Sequence, residues 1–159
     1  NYGNFCQRTF SFVEKNCKSI VPSDIDFNSE DLKILNSFNN NIDKIRSLMD
    51  NQQLNEYIKF IIDKSSNANK YFNDEAPWNK KDDKKRLNTI VYVSLEIIRK
   101  ISILLLPVIP YSAKKALTSL GLNTKTLKLS SITDHLINKP GTKIINQGIL
   151  FQKIEKNND

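Results

Sequence analysis

Apolar side chains recur three and four positions apart through most of the first 120 residues, the period of a helix that buries one face. Over residues 1–17 the stripe is Phe5, Cys6, Phe10, Val13 and Cys17, with Thr9 among them. Asn4, Arg8 and Lys15 fall on or near the opposite side. Val21-Pro22-Ser23-Asp24 reads as the loop that follows. A second helix is predicted to begin at Asn28 or Ser29, either of which can accept from the first free amides, with Glu30 and Asp31 at the positive end of its dipole. Its stripe is Leu32, Leu35, Phe38, Ile42, Ile45 and Met49. The intervening Asn39–Asn41 run has weak helical propensity but lies mostly off that stripe.

A third helix is expected from about Gln53 to Phe72, carried by Leu54, Tyr57, Ile58, Ile61, Ile62, Ala68 and Phe72. It must end before Pro77, because the residue preceding a proline is pushed out of the α region. Trp78 therefore belongs to a turn and not to a stripe. The fourth helix has the clearest period: Leu87, Ile90, Val91, Ser94, Ile97, Ile98, Ile101, Leu104 and Leu105, opened by Asp82 and Asp83 and closed by Pro107 and Pro110. Ser112 opens a short fifth helix that runs through Leu120 and stops at Gly121. Beyond it the pattern weakens. Ser131–Ile137 reads as one or two helical turns, Lys139-Pro140-Gly141 as a turn, and Ile144–Ile154 as a polar-apolar tail. The fold class is all-α: an antiparallel bundle of about five helices over residues 1–120, with a less regular extension over 121–159 packing on or near it.

Composition narrows this picture. A chain of 159 residues suits one core, and 4 glycines with 5 prolines are too few for the turns of an all-β fold. The apolar run Ile101–Ile109 contains Pro107 and is too short to span a bilayer. With no secretory signal, a cytoplasmic protein is expected. Cys6 and Cys17 lie eleven residues apart on one helix, a rise of about 16 Å, which is out of disulfide range. They are expected as reduced, half-buried core residues. A lone histidine, His135, and no thiol cluster leave no metal site to propose. The helical pattern is already running at Asn1, where no methionine stands, so the sequence is expected to begin inside a longer protein.

The net charge of +7 favours an anionic partner, of which nucleic acid and an acidic membrane surface are the usual ones. Enrichment in Lys, Asn and Ile of the kind low-GC genomes produce accounts for it equally well. No nucleophile with a base and no glycine-rich phosphate loop is present. His135 reads as a surface or capping side chain, and Glu14, Glu56 and Glu96 read as solvated. Trp78, the only tryptophan, has two readings: a core side chain, or a plate exposed beyond Pro77 on which a base can stack. Asn4 and Arg8, four apart, share a helix face, which is either an ordinary wet face or a pair that reads a base edge. Lys80–Arg86 holds five basic and two acidic side chains, and so reads as a solvated helix start, a phosphate-contacting patch, or both. Its candidates for phosphate contact are Lys80, Lys81, Lys84 and Lys85.

Asn4-Phe5-Cys6-Gln7-Arg8-Thr9 resembles the Asn-x-x-x-Arg helix of the anticodon-binding domain of methionyl-tRNA synthetases. Ala68-Asn69-Lys70-Tyr71-Phe72 with Ala76-Pro77-Trp78 is similar to that family's second signature. The Arg86–Pro110 segment, ending Leu104-Leu105-Leu106-Pro107-Val108-Ile109-Pro110, and then Ser112-Ala113-Lys114 continue the likeness over residues 1–120. Ile144–Ile154 matches the family's tail only loosely. The resemblance implies recognition of the CAU anticodon of tRNA(Met), with Trp78 stacking on the first anticodon base and Asn4 and Arg8 bonding its edge. It also implies an upstream catalytic domain, the expected seat of ATP and magnesium, whose own motifs are absent here. The fragment alone is then expected to need no cofactor, to be inactive in aminoacylation, and to come from a monomeric parent. Two other readings stand beside it: a basic helical module that binds protein, and the equivalent bundle of another class I synthetase.

Overall fold

The computed structural model describes residues 1–151. Six α-helices follow in order: α1 (Tyr2–Asn16), α2 (Ser29–Asn39), α3 (Ile42–Asp50), α4 (Leu54–Glu75), α5 (Lys84–Leu105) and α6 (Pro110–Ser119). Single 3-10 turns stand at Pro77–Asn79 and Leu129–Ile132. The architecture is the all-helical bundle that the periodicity predicts. Among the described residues no helix is long and apolar enough to cross a membrane.

The second predicted helix is in fact two. The chain leaves α2 at Asn39 and re-enters a helix at Ile42, through Asn40 and Asn41. Three consecutive asparagines compete for backbone bonds with their own amides. Here the Asn41 amide donates to the Ser37 carbonyl at 2.7 Å, taking an acceptor that a continuous helix would use. The inward line of α2 is Asp31, Leu35 and Phe38. Leu32, one position off, is exposed, as are Met49, Leu54 and Ile62 at the margins of α3 and α4.

Helix α5 is the axis of the molecule. It touches α1, α2, α4, α6 and both 3-10 turns, and is buried on almost every side from Leu87 to Leu105. Its apolar stripe is inside as the sequence predicts. The opposite face is inside too, and that face is polar. Glu96, Arg99 and Lys100 are fully buried, which corrects the reading of Glu96 as solvated. The segment after α6 covers them and bonds to them. Arg99 donates to Glu96 at 2.8 Å and to the Ser131 and Asp134 carbonyls at 2.6 and 2.7 Å. Lys100 donates to the carbonyls of Ile132 and Asp134, the latter at 2.7 Å. Glu96 accepts from the Asn138 amide at 2.8 Å. Buried charges are tolerable only when satisfied in this way. The expected turns over Ser131–Ile137 reduce to the 3-10 turn ending at Ile132, because the backbone beyond it is spent on Arg99, Lys100 and Glu96.

The chain then crosses back. Ile20 and Lys143 form an antiparallel bridge that ties the loop after α1 to the extension. Residues 145–151 run along α6, where Ile145 donates to the Ser119 carbonyl at 3.0 Å, and reach α1. There Phe151 stands edge-on to Tyr2, with ring centroids 6.3 Å apart, against the bare Cα of Gly3. The remainder of the predicted tail, residues 152–154, lies outside the described residues. Cys6 and Cys17 are free and buried. Burial pushes the Cys6 thiol up to about 12, so it behaves as a small core hydrophobe.

Candidate nucleic-acid interface

With Phe5, Cys6, Thr9 and Phe10 turned inward, α1 presents Asn4 and Arg8 on its outer side. Asn4 is exposed. Arg8 is half-buried and held by α4. One terminal nitrogen donates to Asn73 Oδ1 at 2.7 Å, the other reaches Asn69 Oδ1 at 3.5 Å, and Cζ lies 5.3 Å from the centre of the Phe72 ring. Asn69 is itself oriented, because its amide nitrogen donates to the Asn1 and Ser65 carbonyls at 3.0 Å. A guanidinium has five N–H donors. This arrangement uses two and leaves the remainder without a protein acceptor among the described residues.

Trp78 occupies the single 3-10 turn between α4 and α5. The turn is locally determined. Ala76 adopts a left-handed conformation, with φ at 44°, and ends α4. Pro77 follows with its fixed φ and is buried, while the next side chain is exposed. Trp78 is 41 % exposed and stands T-shaped to Phe72, with centroids 5.9 Å apart. The indole is thus not a sealed core side chain. An open pocket of about 280 Å³ lies against the indole, lined by Arg8, Ser11, Phe12, Lys15, Phe72 and Trp78 among others. Arg8 and Trp78 thus share one concavity. Asn4, one helical turn away, faces the neighbouring pocket between α1 and residues 149–151.

The basic stretch divides. Lys81 is exposed and Lys80 half-exposed, and neither forms an ion pair among the described residues. Lys84 donates to the Asn16 carbonyl at 3.3 Å, at the rim of the pocket beside Trp78. Lys85 points elsewhere, 3.7 and 3.9 Å from the carboxylates of Asp26 and Asp24. Asp83 caps α5 by accepting from the Arg86 amide at 3.0 Å.

Beneath the turn lies an ionic clamp. Arg86 donates to both oxygens of buried Asp31, at 2.6 and 3.0 Å, and to Glu75 at 2.7 Å. Tyr71 donates to Asp31 at 2.5 Å, and Asp31 also closes the capping box with Asn28 that starts α2. Burial alone would raise the Asp31 carboxyl, but Arg86, Tyr71 and the Asn28 backbone hold it below the usual carboxylate range. The clamp joins α2, α4 and α5 at the two residues that bracket the Trp78 turn. Sequence inspection finds neither it nor the Asn69–Asn73 pair. Two asparagines four apart on α4, opposite an arginine on α1, were the available signal.

The sequence profile described as the anticodon binding domain of methionyl tRNA ligase matches residues 21–159. The chain belongs to this family. The methionine–tRNA ligase of Rickettsia conorii is 36 % identical over 157 residues, 96 % of this chain and 31 % of its own. That of Mycobacterium leprae is 32 % identical over 146 residues, 89 % of this chain and 27 % of its own. The free-state crystal structure of Mycobacterium tuberculosis methionyl-tRNA synthetase superposes with a TM-score of 0.88 at 28 % identity, over 97 % of this chain and 32 % of that one. The chain thus spans about a third of the length of the relatives it matches. The anticodon-binding family's profile takes in the extension after Gly121, which the motif resemblance left out. It leaves out α1, which the full-length relatives cover.

Proposed function

We propose that this chain is the anticodon-reading part of an enzyme that joins methionine to tRNA(Met), and that it holds the first base of a CAU anticodon on Trp78. The observation that carries this reading is the pocket shared by an exposed indole and an oriented guanidinium. Single-stranded RNA bases are read by stacking on aromatics and by bonds to their edges. Stacking on one aromatic contributes about 1–3 kcal/mol. Cytosine offers an amino donor and ring acceptors. Arg8 supplies donors only, and Asn4 supplies a donor and an acceptor. Uracil reverses part of this pattern and leaves a polar group unpaired. Asn4 reaches the base from the turn above Arg8, so the edge spans the gap between the two pockets. Lys80, Lys81 and Lys84 receive the backbone phosphates. Lys85, engaged with Asp24 and Asp26, contributes least.

Catalysis belongs to the remaining two thirds of such an enzyme, which would bind ATP and magnesium. This segment alone is then inactive in aminoacylation. The parent is read as a cytoplasmic monomer in which this domain meets tRNA and the catalytic part.

Titration with an anticodon stem-loop tests the reading through the only tryptophan. A CAU loop should quench Trp78 fluorescence at lower concentration than a UAU loop. Unchanged emission at saturating RNA, or equal affinity for the two loops, overturns the assignment. A basic protein-interaction module would give equal, salt-sensitive binding to both.

A further inference from the structure

Phe72 is 2 % exposed, so only a small part of its ring meets the pocket that it helps to line. Yet it touches both candidate readers. The Arg8 guanidinium lies over its ring at 5.3 Å, and the Trp78 indole stands T-shaped to it at 5.9 Å. Two more rings, Phe5 and Phe12 of α1, stand T-shaped to it at 6.2 and 6.0 Å, at 83° and 88°. The plane of Phe72 is therefore fixed from α1, while its backbone belongs to α4. A cation over an aromatic face and an indole at its side are both oriented by the ring's quadrupole. An aliphatic side chain there would fill space and orient neither.

We propose that Phe72 is a positioning residue that couples Arg8 to Trp78, so that the stacking plate and the edge reader are set at one mutual spacing before RNA arrives. The inference rests on the anticodon reading proposed above. Preorganisation of this kind removes the ordering cost of a long side chain at binding. It also makes the two readers interdependent: displacing one releases the ring that orients the other.

A double-mutant cycle measures that dependence. Affinity for the CAU stem-loop is compared for the 159-residue chain, Arg8→Ala, Trp78→Ala and the pair, then for the same four in a Phe72→Leu background. With Phe72 present, the double change should lose about tenfold less affinity than the product of the single losses. With Phe72→Leu, that shortfall should shrink to about twofold. An equal shortfall in the two backgrounds overturns the proposal, since a merely structural Phe72 would weaken all four proteins alike. A second measurement needs no RNA. In the free chain, Arg8→Met should shift Trp78 emission more with Phe72 present than in the Phe72→Leu background, and an equal shift in the two backgrounds counts against coupling. A 159-residue chain that binds CAU and UAU equally defeats the anticodon reading alone, and the emission of free Arg8→Met in the two backgrounds still decides the role of Phe72.

Discussion

Trp78 and Arg86 are eight residues apart, on the 3-10 turn and at the start of α5, and call for opposite responses to mutation. Trp78→Ala removes a ring that is outside the core. The melting temperature should move by no more than a degree or two, while affinity for the CAU loop falls by about tenfold to a hundredfold, the range that one stacked base supports. Thermal unfolding and stem-loop titration on the same sample check both halves. Arg86→Ala strands the buried Asp31 carboxylate and should cost about 3–5 kcal/mol in urea unfolding. The lysines behave differently again. Lys81→Gln should weaken binding of CAU and UAU alike and flatten the slope of log affinity against log salt by about 0.7–1. A loss confined to CAU would give Lys81 a role in base reading instead. The place of Trp78 on a turn was legible because proline fixes its own φ and stops a helix, but the outward direction of its ring was not, and a core position read equally well. The hold of Asn73 on Arg8 was not legible either, since two polar residues on different helices leave no mark in either period.

At the scale of elements, the start of α2, the end of α4 and the start of α5 meet in one carboxylate. Asp31 is held below the ordinary carboxylate range in the folded chain. It therefore contributes stability above the unfolded value, near pH 4, and loses it as the pH falls through its folded value. Acid unfolding should begin in this window, and Asp31→Asn should flatten that limb of the stability–pH curve. Stability measured at pH 5 and pH 3 decides it. The split of α2 from α3 shows where periodicity misleads. The apolar stripe continues across Asn39–Asn41, but side-chain amides took the backbone bonds, and stripe counting does not register that competition. Glu96, Arg99 and Lys100 make the complementary case. Glu96 reads as solvated in the sequence, and only the irregular extension, nearly silent in sequence, explains why it is dry together with Arg99 and Lys100.

The molecule as a whole is a bundle fastened by its own C-terminal segment. The fastening is ionic at α5 and apolar at α1, so it should respond to pH as a core does not. Burial, with Arg99 beside it, pushes the Lys100 ammonium down to about 7. Between that value and the ordinary lysine range the unfolded chain binds the extra proton, so stability should rise with pH from 7 towards 10. Lys100→Met should remove the rise in urea unfolding at pH 7 and pH 9.5. At the other end, a Cβ on Gly3 would stand 2.6 Å from the Phe151 ring. That ring is half-exposed and free to turn, so Gly3→Ala should be tolerated in α1 while hydrogen exchange over residues 149–151 quickens.

The left-handed alanine at position 76 has a bearing on how this domain could be improved or spoiled. A glycine there would relieve the backbone, and a screen for heat resistance would favour it. The same exchange would let the proline and indole that follow swing through a wider arc. If Trp78 is the plate proposed above, selection for endurance alone would thus yield a sturdier domain with a blunter sense of which codon's tRNA it is holding.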